Sequence, residues 1–597
     1  MAAIVTSKFP PPPDPRSKDY IVDPPTQRRD ILRNIGPGLI IAASLVGSGE
    51  LIATTKTGAQ AGIFLLWLII LGCVIKVFVQ VEIGRHTITH GETILSALNR
   101  LPGPRIRVNW IIWYSFVMMA ASIGGMGAVV GGVGQALALA FPITGDYSRA
   151  IQLPSELELK RYIAWGNDIG TGGGELAKLT ADEQERIHLG QALFRDRLSR
   201  LDQKADRRGS RALVAVTDLI AAERQEALIG EHLNQNQTHA STATAKARVN
   251  ALLEPVTVDD QYWAILVTLV TVTLLYFGRY RLIQSLAIVL VGLFTLVTIG
   301  NVFALQFHDT FRLSASEILI GLQFRLPPMG AVPPGIVDWQ GVQPLATALM
   351  TFGIIGIGGM ELGIYPYWCL EKGYARFTGP RTQEASWTMR ASGWMRVVRY
   401  DAFISMVLYT ATTIAFFVMG VAVMHKQGLD PTGMRMVSTL LEQYVPAFGE
   451  YAHWLFLFGA IAVLGSTFLI GNAGIARLLT DALKVSRLMK STETKTHERT
   501  VVWFSVAQPI ISLVIFATGV DLVGLANALG MGSELQRHPV RAVLRGALMA
   551  LSREGITPIR TGQEHCQDQS AHASTLCRRR SIRYHLLAPR PSVEGHP

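Results

Sequence analysis

Two glutamates stand where an apolar chain accommodates charge least readily. Glu50 closes the run Leu45-Val46-Gly47-Ser48-Gly49-Glu50-Leu51, and Glu361 lies in a stretch from Gly353 to Pro366 that carries five glycines up to Gly363. Each sits inside a segment apolar and long enough to cross a bilayer. An ionised side chain at bilayer depth costs roughly 2.5–3.5 kcal/mol on insertion scales, so it normally faces a partner or a wet cavity. Neighbouring glycines let helical backbone unwind, and unwound backbone at that depth is tolerated only where it is buried in protein or lines a cavity. Two Gly-interrupted spans of this kind point to a binding site between two structural repeats.

Facing one chamber, the two carboxylates would share a dication. The candidate site residues are Gly47, Gly49, Glu50, Gly358, Met360 and Glu361, with Glu50, Met360 and Glu361 as the metal-ligating set. Carboxylate oxygens and the carbonyls near Gly47 and Gly358 suit Mg²⁺, Ca²⁺ or Mn²⁺, and a thioether from Met360 tilts the preference toward softer ions. A close carboxylate pair can also hold a proton when no cation is present, which offers a coupling route. Lys76, deep in Val74-Ile75-Lys76-Val77, offers a competing arrangement as a buried ion-pair partner of Glu50. That pairing leaves less net negative charge and suits a zwitterion or organic solute better. Met360 alone reads more readily as core filler than as a ligand. Glu82 and His86, with His90 and Glu92, form a candidate gate cluster at the end of the second span, or simply loop residues at an interface. Asn301 and Asn472 read as interhelical hydrogen-bonding residues.

The elements that must position these groups follow from composition. Of 597 residues, 49% are hydrophobic and 17% charged, and the apolar residues come in blocks, which makes this an all-α polytopic membrane protein. Spans are expected near 35–55, 62–83, 110–141, 262–277 and 282–305. Further spans are expected around Glu361 to Leu370, then near 402–424, 454–475 and 501–519, with a last one beginning at Val520 and failing after Met531. The chain therefore divides into an arm (1–34), three spans (35–141), a polar and partly helical insert (142–261), further spans (262–531), and an Arg- and His-rich tail (532–597) expected to be disordered. In the insert, Thr180-Ala181-Asp182-Glu183 reads as a capping box for a helix through Leu201. A second helix is expected near 211–233, then a linker at 234–245.

The formal net charge is +11, but its basic residues fall mostly in short loops and the tail, so nucleic acid is not implied. Arg28, Arg29, Arg33, Arg85, Arg100, Arg105, Arg107, Arg279 and Arg281 share one side with the Lys/Arg of 372–399 and 484–499. The other short loops hold only Lys56, Arg312, Arg325, Lys426 and Arg435. That asymmetry predicts a cytoplasmic N-terminus in the cell membrane and an extracytoplasmic insert. Four cysteines give no disulfide framework, no nucleotide-binding G-x-x-x-x-G-K-[ST] loop is present, and no nucleophile with a positioned base is legible, so no enzyme is implied.

Gly36-Pro37-Gly38, Gly58-Ala59-Gln60-Ala61-Gly62, Leu65-Leu66-Trp67 and the Gly353–Met360 segment resemble the Nramp family of proton-coupled divalent-metal transporters. The resemblance covers about 35–531 apart from the insert. It implies the LeuT-type fold, two inverted five-helix repeats holding metal between broken helices one and six, with the last core helix here incomplete. The family's first-helix motif is Asp-Pro-Gly-Asn, and this chain has Gly47-Ser48-Gly49-Glu50. Where the family has Met-Pro-His in helix six, Met360-Glu361-Leu362 stands, so the thioether position is kept, the His is absent and Glu361 is new. The reading is a secondary active carrier of divalent cations working by alternating access, with protons as a coupling ion and no resident cofactor. Two alternatives stay open: a carrier of an amino acid or other small organic solute on the same fold, and a non-transporting protein whose insert binds a partner.

Overall fold

The computed structural model describes residues 21–45, 49–170, 174, 177, 181–202, 207–229, 235–277, 280–327, 359–427, 429, 435–489 and 494–518. All lie in one compact unit, Met1–Ala550. The described chain is helical apart from two antiparallel two-residue strands, Arg105–Ile106 and Val108–Asn109. In order it runs through α1 (Arg28–Asn34), α2 (Pro37–Leu45), a π-helical turn (Gly49–Thr54), α3 (Thr55–Ala61), α4 (Leu66–His90) and α5 (Trp110–Ala140). The insert contributes α6 (Glu156–Gly170), α7 (Ala181–Asp202), α8 (Arg208–Ile229) and α9 (Gln235–Leu253). There follow α10 (Asp259–Phe277), α11 (Tyr280–Leu305), α12 (Gly359–Lys372), α13 (Ala385–Met419, continued as a π-helical Gly420–His425), α14 (Ala452–Val485) and α15 (Thr494–Thr518).

Among the described residues six helical stretches are long and apolar enough to cross a membrane: Glu50–His90, Trp110–Ala140, Asp259–Phe277, Ala385–His425, Val445–Val485 and Thr496–Thr518. The molecule is thus a multi-pass, all-helical membrane protein. Burial ranks the helices: 72% of the apolar window of α14 is enclosed against 22% for that of α15, so α14 is central and α15 peripheral. Glycines on α5 set its spacing to its neighbours. A Cβ on Gly134 would lie 2.3 Å from the Asp260 carbonyl oxygen, and one on Gly127 would lie 3.1 Å from that of Ser512. Those positions let α10 and α15 approach α5 backbone to backbone.

Several expected boundaries move. The second span continues to His90, where Gly91 in the left-handed region ends it by donating to the Thr87 carbonyl. The helix expected from 402 begins at Ala385, so Arg390, Arg396 and Arg399 ride on a helix rather than a loop. α14 runs ten residues past the expected end at Ile475. The stretch 235–245, expected as linker, belongs to α9. Its Thr- and Ala-rich composition is neutral toward helix, and packing of Val249 and Leu253 into the insert core decides it. Thr180, Gly47, Gly358, the span expected from Val520 and the whole tail lie outside the described residues.

The insert has its own small core of Leu153, Leu159, Leu198, Val216, Leu219 and Leu253. Its two ends are joined by reciprocal carboxylate contacts. Asp259 accepts from the backbone N–H of Ile143, Thr144 and Gly145, and Asp146 accepts from those of Val258 and Asp259. Arg435, from the segment between α13 and α14, donates to the carbonyls of Leu153 and Leu253 at 2.9 and 3.0 Å. It thereby ties both ends of the insert to the bundle.

Candidate functional site

The described part of α2 spans Pro37–Leu45, and polar backbone groups around it find partners on other helices. Asp401 of α13, fully enclosed, supplies them at the start: its Oδ1 accepts from Gly36 N–H at 2.8 Å and its Oδ2 from Gly38 N–H at 2.6 Å. A carboxylate there also opposes the positive end of the helix dipole. This explains the Gly36-Pro37-Gly38 motif locally. Pro37 opens the helix, where its missing N–H costs nothing, and a Cβ on Gly38 would stand 2.8 Å from the Asp401 carbonyl oxygen. At the other end the hydroxyls of Ser466 and Thr467 on α14 donate to the carbonyls of Ala43 and Ser44 at 3.5 and 3.1 Å. Helix resumes as the π-turn at Gly49, on the far side of residues 46–48.

Glu50 lies in the first turn of that second helical piece and Glu361 in the first turn of α12. Glu50 is 1% exposed and accepts from the Thr54 hydroxyl at 2.8 Å. Glu361 keeps part of its surface accessible although α12 packs against α2, α4 and α14. Lys76 of α4, also 1% exposed, interacts electrostatically with both Glu50 and Glu361. A buried ammonium thus lies in the electrostatic neighbourhood of both carboxylates.

One helical turn beyond Lys76, on the same face of α4, comes Gln80. It has no exposed surface, and neither its amide oxygen nor its amide nitrogen has a hydrogen-bond partner among the described residues. A turn further on, a Cβ on Gly84 would lie 3.3 Å from the Tyr365 ring, and Tyr365 is one turn beyond Glu361 on α12. The Lys76–Gln80–Gly84 face therefore runs alongside the Glu361–Tyr365 face.

The remaining sequence candidates sort by place. Met360 is half-buried and packs on the main hydrophobic core. Glu82 pairs with Arg85 at 2.9 Å, and His86 stacks on His90 with ring centroids 4.4 Å apart. His90 in turn meets Arg381 at 3.2 Å, so this group belongs to the face bearing the N-terminal arm rather than to the Glu50–Glu361 region. Among the described residues no group of three or more His, Cys, Asp or Glu side chains is assembled to hold a metal ion. Asn301 bonds across to the Gln443 carbonyl at 3.1 Å, whereas Asn472 bonds within its own helix to Phe468.

Toward the arm face the C-terminal half of α12 is fastened to α14. Tyr367 donates to Asp481 Oδ2 at 2.7 Å, and Glu371 pairs with Arg477, whose guanidinium also lies 4.4 Å from the Trp368 ring centre. Lys372 and the Tyr374 hydroxyl donate to the carbonyls of Ile35 and Asn34, just ahead of α2.

Sequence reasoning missed Asp401 and Gln80. Asp401 follows Arg396, Arg399 and Tyr400, which made it look like loop. Gln80 is a lone amide in an apolar run, a weak signal taken singly, though intramembrane polar residues as a class point to function or to interhelical bonding.

No protein-family model matches the chain, and no curated protein matches it. Among solved structures it is similar to the Eremococcus coleocola manganese transporter in complex with an aromatic bis-isothiourea substituted compound. That likeness has 13% identity over 90% of this chain and 81% of that one, with a TM-score of 0.49. It is also similar to two mutants of that transporter, each at 13% identity, with TM-scores of 0.49 and 0.46.

Proposed function

We propose that the chain is a secondary carrier of divalent cations of the Mn²⁺, Fe²⁺ and Mg²⁺ class, with Glu50 and Glu361 as the cargo's carboxylate ligands. The observation that carries this reading is a pair of carboxylates in apolar helices, Glu50 fully buried and Glu361 partly so, whose charge a bound cation would balance. A transported cation is expected to rest where membrane helices are interrupted, and the glycines ahead of both glutamates are the sequence mark of such an interruption. Hard oxygen donors from the two carboxylates, with carbonyls at the helix interruption, suit these ions. Alternating access then consists of releasing the arm-face ties of α12 and α2 and closing the opposite side over the loaded site. The Nramp-like sequence motifs support the same reading, which takes protons as the coupling ion and, from the Lys/Arg asymmetry, a cytoplasmic N-terminus.

Lys76 favours a second reading. Two carboxylates and an ammonium together complement an amino acid, whose carboxylate would meet Lys76 and whose amine would meet the glutamates. Uptake of radiolabelled Mn²⁺ and of amino acids into proteoliposomes separates the two, with Glu50→Gln and Glu361→Gln as controls. Saturable Mn²⁺ uptake reduced at least tenfold in either variant is expected. Saturable amino-acid uptake indifferent to Mn²⁺ and Mg²⁺ would replace the first reading with the second.

A further inference from the structure

We propose that Lys76 is a tethered counter-cation, holding in the empty carrier the place between Glu50 and Glu361 that the transported dication takes, and withdrawing on loading to the side-chain amide of Gln80. The inference rests on the divalent-cation reading above and deepens it by naming what fills the site between cargoes. Burying two carboxylates with no positive charge near them is strongly unfavourable, so an empty site without Lys76 would be a high-energy state. A dication and an ammonium cannot share the same pair of carboxylates in a low-dielectric interior, because their mutual repulsion is as poorly screened as their attraction to the acids. The ammonium must therefore move when cargo arrives.

Its destination lies one turn along the same helix. Lysine carries its charge on a flexible four-carbon stem, and Gln80 lies at the i+4 position on the same helix face. Gln80 is fully buried with its carbonyl oxygen unpaired among the described residues, an arrangement that is costly unless some state of the protein satisfies it. An ammonium swung one turn along α4 would be that partner. The consequence concerns the transport cycle. Net uptake requires the empty carrier to return across the membrane, and that step needs Lys76 in the site. Exchange of one bound cation for another never requires the empty carrier to cross, and does not.

The test compares net Mn²⁺ uptake with Mn²⁺/Mn²⁺ exchange in proteoliposomes for the wild type, Lys76→Met, Lys76→Gln and Lys76→Arg. For Lys76→Met and Lys76→Gln the ratio of exchange to net uptake is expected to rise at least tenfold. Lys76→Arg keeps the positive charge and the packing, so it guards against loss of folding. Its bulky, permanently placed guanidinium is expected to block both modes at least tenfold in protein that stays monodisperse. Lys76→Arg transporting like the wild type would overturn the inference, since a merely structural ion pair tolerates that change. An unchanged ratio in Lys76→Met and Lys76→Gln would do so as well. A wild type that moves amino acids and no Mn²⁺ or Mg²⁺ defeats the underlying reading. A wild type that moves Mn²⁺ while the variants keep its ratio defeats the tethered cation alone.

Discussion

Replacing Asp401 by Asn isolates what holds helix α2 in place. In the wild type one carboxylate accepts three donors: Gly36 N–H at 2.8 Å, Gly38 N–H at 2.6 Å and the Tyr365 hydroxyl at 3.3 Å. The carboxamide keeps the shape but turns one acceptor oxygen into an NH₂ that meets a backbone donor head-on. One charge-assisted hydrogen bond is lost outright, about 1.5–3 kcal/mol, and the stranded buried N–H adds about 1–3 kcal/mol. Loss of the charge opposing the helix dipole adds roughly 0.3–1 kcal/mol more. These overlap, so the expected destabilisation is about 3 kcal/mol. The assay is reversible unfolding in mixed micelles titrated with SDS, with the exposed Asp196→Asn as a surface control. Limited proteolysis around residues 21–45 reports whether the loosening is local. Unfolding free energies for Asp401→Asn and Asp196→Asn that agree within about 0.5 kcal/mol would refute the clamp, since the surface control is expected to change little.

Three further outcomes follow from the packing. Gly58→Ala should cost about 1–3 kcal/mol, because the added Cβ would lie 2.4 Å from the Phe417 carbonyl oxygen and must push α3 off the π-helical end of α13; thermal unfolding in detergent reads this directly. Arg435→Met removes both hydrogen bonds to the insert ends and strands the Leu153 and Leu253 carbonyls. Faster protease cleavage within 146–258 at unchanged bundle stability is the expected result, and equal cleavage rates would count against that attachment. In the insert, hydrogen bonds from the Ser210 hydroxyl and backbone N–H hold the Asp202 carboxyl below its ordinary range. Its contribution is therefore present above the ordinary carboxylate value and lost as pH falls through the depressed one. Amide exchange at Ser210, corrected for intrinsic pH dependence, should rise only in that acid window, and a rise near neutral pH would contradict it.

The coarse architecture was legible because lipid permits few solutions. Blocks of apolar residues had to be helices, and the glycine-flanked glutamates had to be covered. Span ends were less legible. The surface of α13 between Ala385 and Arg399 is polar, and hydropathy cannot tell a helix rising out of the membrane from a loop. The clamp on α2 was invisible because its halves are separated by 363 positions, and nothing in Gly36-Pro37-Gly38 names its acceptor. Lys76 could be flagged from its apolar surroundings, yet its nearness to both Glu50 and Glu361 depends on how α4 packs against α12. Gln80 became informative only once its amide was seen to be buried without a partner among the described residues.

The crossed aspartates at the root of the insert bear on how the chain is assembled. Asp146 and the Val258 amide it binds are 112 positions apart, yet they meet as closely as the two sides of a tight turn. The entropy of bringing those ends together grows only slowly with the length between them, and the contacts that close the root belong to the root itself. The domain beyond is therefore a detachable passenger. Excising it and bridging α5 to α10 with a few residues should leave an ordinary helical hairpin, and a foreign domain with neighbouring termini should be carried there equally well.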